Sequence, residues 1–205
     1  MNSIVALTLK LTIPITLGAL CGTISERGGV IMLGVEGMML FGSFFAVLGS
    51  YISGSAWVGL LFAILSGAIL GWLYCLFCLR FKAHQSVIGV GLNMLASGLT
   101  QVLLKAIWGR EGMSDFVSTI PAIRIPFLSN VPILGALFSD QTPFFYFTLV
   151  IVAFVWFVFY KSKYGLRYRA IGDHPLAVRT MGVDVNRYRY VALTFAGVLA
   201  SIGGA

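Results

Sequence analysis

Glu36 is the one charged residue between positions 30 and 51, and it sits among glycines in Gly34-Val35-Glu36-Gly37. A carboxylate in such an apolar run can pair with a cation, take up a proton or hydrogen-bond a polar solute. It cannot lie idle in lipid, where insertion of a charge costs roughly 2.5 kcal/mol or more. Asn93 occupies a matching setting: Val30-Ile31-x-x-Gly34-x-Glu36 aligns with Val87-Ile88-x-x-Gly91-x-Asn93, a short internal repeat. Two roles fit both residues, lining a path for a polar solute or pinning one helix to another by hydrogen bonds. Other reactive types are poorly placed. Cys75 and Cys78 form a C-x-x-C inside an apolar stretch, where small buried side chains are the simpler reading than a metal or redox site. His84 and His174 share no metal-ligand spacing with any partner. There is no H-E-x-x-H, no G-x-S-x-G and no G-x-x-x-x-G-K-[ST], so neither hydrolytic chemistry nor ATP binding is expected of this chain.

The elements that position these groups follow from composition. Of 205 residues, 59% are hydrophobic and 10% charged, whereas a soluble domain carries about a quarter charged residues. The solvent is lipid, and the fold class expected is an all-α integral membrane protein, a polytopic bundle of transmembrane helices. A span takes about 20 apolar residues. Six candidates lie at 3–23, 30–51, 57–79, 87–108, 144–160 and 190–205. The last runs to the chain end with no anchor after Gly203 and Gly204, which reads as a chain lacking its C-terminal part. No cleavable signal peptide is evident, so the N-terminal segment reads as a first span.

The formal net charge is +7, and most of the excess sits in the loop 161–189 through Lys161, Lys163, Arg167, Arg169, Arg179, Arg187 and Arg189. Concentrated bases in a short loop mark the cytoplasmic side. That places the loop 109–142 outside, Arg80 and Lys82 inside, and the N-terminus outside. The expected localisation is a bacterial cytoplasmic membrane, and no nucleic-acid partner is expected. The outer loop is broken by Pro121, Pro126 and Pro132 yet rich in isoleucine and leucine, so it should lie on protein or at the interface. Small residues at spacing four supply close-packing grooves: Gly18 and Gly22; Gly42, Ala46 and Ser50; Ala63, Gly67 and Gly71.

The loop 161–189 carries the most specific pattern. Asp173 reads as an N-cap, Pro175 as a first-turn residue and Gly182 as a helix stop, so the sequence predicts a short helix over 174–181 with Leu176, Ala177, Val178 and Met181 on its apolar side. Such a helix in water needs a groove to cover it, on lipid or on a soluble partner.

Gly165, Arg169, Ala170, Gly172, Asp173, Pro175, Ala177 and Gly182 match the pattern Gly-x-x-x-Arg-Ala-x-Gly-[Glu/Asp]-[Asn/His]-Pro-x-Ala, followed by a glycine, and the chain thereby resembles the permeases of the branched-chain amino acid, ribose and galactoside transporters. The N-terminal half resembles the same family through Ser25-Glu26-Arg27-Gly28-Gly29-Val30, Leu33-Gly34-Val35-Glu36-Gly37-Met38-Met39 and the pair Leu92-Asn93. The nearest branch is that of nucleoside and simple-sugar importers. Met32 departs from it, standing where many of those members have asparagine.

The resemblance implies one transmembrane permease domain, 1–205, containing a cytoplasmic coupling loop, 161–189. It implies a separate ATPase subunit that binds ATP, a second permease subunit, identical or homologous, and an extracytoplasmic substrate-binding lipoprotein. No cofactor is implied in this chain itself. The residues from Gly165 to Gly182 would form the ATPase contact, and Glu36 and Asn93 would line the substrate path. Alternatives of other classes have less support. An ion-coupled secondary transporter calls for paired intramembrane charges, and Glu36 is the only deep carboxylate; a structural subunit gives no reason for the loop helix.

Overall fold

The computed structural model describes residues 2–109, 113 and 143–205. Among the described residues every regular element is helical: α1 (Asn2–Arg27), α2 (Val35–Ser53), α3 (Ala56–Cys75), α4 (Gln85–Trp108), α5 (Pro143–Lys161), α6 (Lys163–Asp173), α7 (Pro175–Thr180) and α8 (Val185–Gly204). Helix α3 runs on through a π-helical turn, Leu76–Arg80. A multi-pass membrane protein is the consequence: α1 to α5 are each long and apolar enough to cross a bilayer. About six spans were expected; the sixth, over 190–205, falls in α8, which among the described residues is not one of the five helices apolar enough to cross. It is twenty residues long, but Asn186, Arg187 and Arg189 in its first turns dilute its hydropathy. The external loop expected over 109–142 lies outside the described residues except for Gly109 and Met113.

The grooves legible in the sequence are filled mainly by α8. Gly42 of α2 meets the backbone of Ser201, and Gly67 and Gly71 of α3 meet Gly197, Ser201, Leu193 and Thr194. A Cβ on Gly42 or Gly67 would strike backbone atoms and one on Gly71 would crowd them, so α2 and α3 approach α8 main chain to main chain. Gly204 packs in the same way on the backbone of Met39. Ser201 adds a hydrogen bond, its Oγ donating to the Met38 carbonyl at 3.0 Å. Ala46 and Ser50 receive Gly59 of α3 rather than α8. Leu193, Ala196, Leu199, Ala200 and Ser201 are almost wholly buried, which puts α8 at the centre of the bundle. The α1 groove is half used: Gly18 touches Val35 and Met39 of α2, while Gly22 has nothing near it.

Two segments depart from the expected helices. The span expected over 30–51 becomes helical only at Val35; residues 30–34 are irregular, with Val30 and Met32 buried and Ile31 and Leu33 exposed. Side chains alternating in this way let the segment face the core with every second residue. Its backbone groups find partners outside itself. The Ile31 N–H donates to Gln85 Oε1 at 2.8 Å, and the Tyr74 hydroxyl lies 2.7 Å from the Ile31 carbonyl. That satisfaction is what makes non-helical backbone tolerable against a membrane-embedded core.

The second departure is the 161–189 segment. It holds two helices before α8, not the single helix predicted over 174–181. Helix α6 precedes α7, and Asp173 is its last residue, so the expected N-cap at Asp173 is absent. The caps lie elsewhere. Ser162 Oγ accepts from Gly165 N–H at 3.1 Å to start α6, and Asp184 accepts from Asn186 and Arg187 N–H at 3.1 and 3.2 Å to start α8. His174, at φ −140°, breaks the chain between α6 and α7, and Pro175 enforces that break because a residue before proline is pushed out of helical geometry. Gly182 ends α7 as expected, at φ +80°.

Candidate functional site: a clamped surface segment and a helix face

Helices α6 and α7 form a projection at one end of the bundle, between α5 and α8. Its root is fixed. Gly165 is buried against the backbone of Val158 and Phe159, which permits the sharp turn out of α5. Tyr168 is buried, with its ring against Phe159 at 5.7 Å between centroids and its hydroxyl donating to the Ile24 carbonyl at 2.9 Å. Burial pushes the Tyr168 phenol above its ordinary value, so it stays protonated and remains a donor. Gly172 packs on the backbone of Arg27 and Gly29 at the end of α1. The tip is free: Leu176 is 77% exposed and Met181 80% exposed, and Ala177 lies on the same open surface. Val178 alone of the predicted apolar side turns inward, against Ile171 and Val185.

Arg169 stands over the Tyr160 ring at 5.0 Å, and its Nε is buried without a hydrogen-bond partner. It borders a polar hollow of about 560 Å³ with Glu26, Arg27 and Asp173. Sequence reasoning placed Arg169 and Asp173 in the loop but missed that the α1 terminus joins them. A second hollow of about 620 Å³ is apolar, lined by Phe154, Val158, Tyr168, Tyr188, Val191 and Phe195. Neither hollow includes Glu36 or Asn93.

Those two residues are neighbours on adjacent helices with different surroundings. Asn93 joins α4 to the start of α2: its Oδ1 accepts from Gly37 N–H at 2.7 Å and its Nδ2 donates to the Leu33 carbonyl at 3.2 Å. Glu36, in the first turn of α2, is exposed and has no hydrogen-bond or ion-pair partner among the described residues. The equivalence suggested by the short repeat therefore fails locally. Residues 30–34 are irregular where 87–91 are helical, and Gly34 is packed against Gly89 and Leu92 where Gly91 faces open space.

Glu36 shares its face of α2 with Leu40, Ser43 and Val47, all partly or fully accessible. On one flank Val35 and Met39 touch Gly18 of α1. On the other, Gly37 and Phe44 touch Asn93 and Trp108 of α4. Spacing of four carries the α4 strip from Asn93 to the exposed Ser97 and Gln101. Cys75 is buried, its thiol 3.9 and 4.0 Å from the Arg189 and Tyr190 carbonyls, and among the described residues no group of three or more ligating side chains is brought together.

A family model described as branched-chain amino acid transport system / permease component matches residues 4–205. The chain belongs to that family. It is 35% identical to a guanosine ABC transporter permease of Bacillus subtilis, aligned over 100% of this chain and 66% of the relative. It is 34% identical to a nucleoside ABC transporter permease of Lactococcus lactis, over 98% of this chain and 66% of the relative. A putative glucose ABC transporter permease of Haloferax volcanii is also 34% identical, over 97% of this chain and 60% of the relative. The chain thus spans at most 66% of the length of these curated relatives. No solved structure matches. These relatives are transport permeases by name and not enzymes, in keeping with the absence of hydrolytic motifs.

Proposed function

We propose that this permease is the membrane-spanning half of an ATP-driven importer that carries a nucleoside or a simple sugar inward across a bacterial cytoplasmic membrane. The observation that carries the reading is the α6–α7 projection, rooted in the bundle by buried groups and open at its tip through Leu176, Ala177 and Met181. In this reading the tip seats in a groove of a separate ATPase, which binds ATP. Closure of the ATPase dimer then shifts the projection as a rigid body, and the spans alternate between openings. The residues of the ATPase contact are Gly165, Arg169, Gly172, Asp173, Pro175, Ala177 and Gly182, with glycines and proline shaping the projection and Ala177 touching the partner. The loop 161–189 is cytoplasmic and the N-terminus external, as the concentration of bases supports. A second permease subunit and an extracytoplasmic substrate-binding lipoprotein complete the importer. The relatives named as guanosine, nucleoside and putative glucose permeases support the substrate class.

The solute path runs along the α2 face that bears Glu36, between α1 and α4. A carboxylate facing hydrocarbon is unfavourable by kilocalories, and Glu36 has no partner among the described residues, so its exposed face belongs against a water-filled cavity or the second subunit. Asn93, Ser97 and Gln101 add hydrogen-bonding groups suited to hydroxyls and base edges.

The decisive experiment uses the full-length permease with Ala177→Glu. Ala177 is exposed, so the variant should insert and purify normally yet lose its ATPase on co-purification, and with it substrate-stimulated hydrolysis. Full retention of both would sink the coupling reading and leave α6–α7 as a basic segment resting on anionic lipid.

A further inference from the structure

The turn that follows α1 is held at three points, two from α6 of the projection and one from the start of α8. Tyr168 on α6 donates its hydroxyl to the Ile24 carbonyl at 2.9 Å. Arg189, in the first turns of α8, donates Nε–H to the Gly28 carbonyl at 2.9 Å. Gly172 on α6 lies against Arg27 and Gly29. The local sequence is fitted to this grip. A Cβ at Gly28 would collide with the Tyr168 hydroxyl, and Gly29 sits at φ +72° beside the Arg189 guanidinium. From this turn the chain goes directly into residues 30–34, which are irregular; Val30 N–H donates back to the Ser25 carbonyl and the Gly34 carbonyl accepts from Met38 N–H. Their outside partners are Gln85 at Ile31, Tyr74 at Ile31 and Asn93 at Leu33. One unbroken series of hydrogen bonds and backbone contacts therefore joins α6 to the helix start that carries Glu36.

We infer that Tyr168 and Arg189 are positioning residues that grip the turn after α1 and transmit movement of the α6–α7 projection to residues 28–36, at the solute path. The inference rests on the coupling reading above and adds what that reading lacks, a physical connection between the surface projection and the membrane interior. The connection suits transmission because its links differ in stiffness. Helix α6 is short and rooted by buried groups, so it moves as a unit. Residues 30–34 are irregular, so a displacement of the turn repositions them without unwinding a helix. Two discrete arrangements of such a segment are what coupling between distant sites requires.

Tyr168→Phe tests this with one atom, since the ring can keep its place against Phe159. Arg189→Lys keeps the charge and removes the Nε donor. Both are made in the full-length permease assembled with its ATPase and reconstituted in vesicles. The expected result is retained co-purification and retained basal hydrolysis, with uptake per ATP falling about fivefold or more, the lower end of typical coupling between sites. The double variant should lose little beyond the worse single variant, because both side chains hold one turn.

Amide hydrogen exchange supplies a second readout. In wild type, ATP should change exchange over both 163–180 and 28–36; in Tyr168→Phe the response should persist over 163–180 and vanish over 28–36. Uptake per ATP equal to wild type in both single variants would overturn the inference. So would lower thermal stability with an intact ATP response over 28–36, which marks a merely structural bond. Failure of the coupling reading itself is distinguishable, because it appears as an ATPase that never associates with the wild-type permease.

Discussion

The bundle centre and the α6–α7 projection are built from the same small residues put to opposite use. At the centre, Gly42, Gly67, Gly71 and Gly204 bring α2, α3 and α8 into main-chain contact, and the side chains removed from those positions are what make the contact possible. In the projection, Gly165 and Gly172 also press on backbone, but they do so only at the root. The tip, by contrast, carries large apolar side chains exposed by more than three quarters at Leu176 and Met181. A membrane protein gains little hydrophobic free energy from helix association, so close packing must hold its centre together. A surface in water gains nothing from exposing leucine and methionine unless something covers them. The centre is therefore the part that must not move apart, and the tip is the part that the proposed ATPase contact would cover.

The contrast breaks most decisively at the centre. Gly42→Leu or Gly67→Leu drives a side chain into the backbone of α8, beyond the roughly 1–3 kcal/mol typical of core overpacking. Loss of monodisperse protein in detergent is expected; normal yield would show that α8 is not the packing partner. Next comes the junction of α2 and α4. Asn93→Ala strips two hydrogen bonds and leaves the Gly37 amide and Leu33 carbonyl without that partner, a loss of about 1–3 kcal/mol, measurable as a lower unfolding midpoint. Glu36→Gln should leave that midpoint unchanged, since Glu36 has no partner among the described residues, and should instead lower uptake or alter its pH dependence. Normal uptake at every pH would remove Glu36 from the path.

A smaller effect separates the two aspartates that frame α7. Asp184→Ala removes the cap of α8 and should cost about 1 kcal/mol. Asp173→Ala removes no cap and should fall within about 0.5 kcal/mol of wild type, as surface changes do. Equal losses would restore the cap that the sequence pattern suggests at Asp173. Smallest of all is Gly22→Ala, where a methyl meets open space on α1; thermal stability should not fall, although the same glycine belongs to a small-x-x-x-small pair.

Much of the architecture was legible because lipid imposes a composition. Long apolar runs gave six candidate spans, five of which correspond to helices long and apolar enough to cross, with Arg80 and Lys161 ending the third and the fifth. The grooves at Gly42, Ala63, Gly67 and Gly71 were legible as grooves. Their occupant was not, because a glycine stripe states that a helix comes near without stating which one. The projection was legible from Pro175 and Gly182, which constrain backbone locally. Helix α6 was missed because Lys163 to Asp173 mixes basic, aromatic and small residues with no clean apolar stripe.

The sequence by itself determined the solvent, the helical class, five of the long apolar helices and the family, since each rests on composition or on residues close together in the chain. Tertiary structure alone decided which groups meet across long separations. Tyr168 reaches Ile24 across 144 positions and Arg189 reaches Gly28 across 161. It also decided that Asn93 joins two helices while Glu36 stays exposed, without a partner among the described residues. The reason is physical: a polar side chain advertises in sequence that it needs a partner, but the partner is selected by which helix faces the packing leaves opposed.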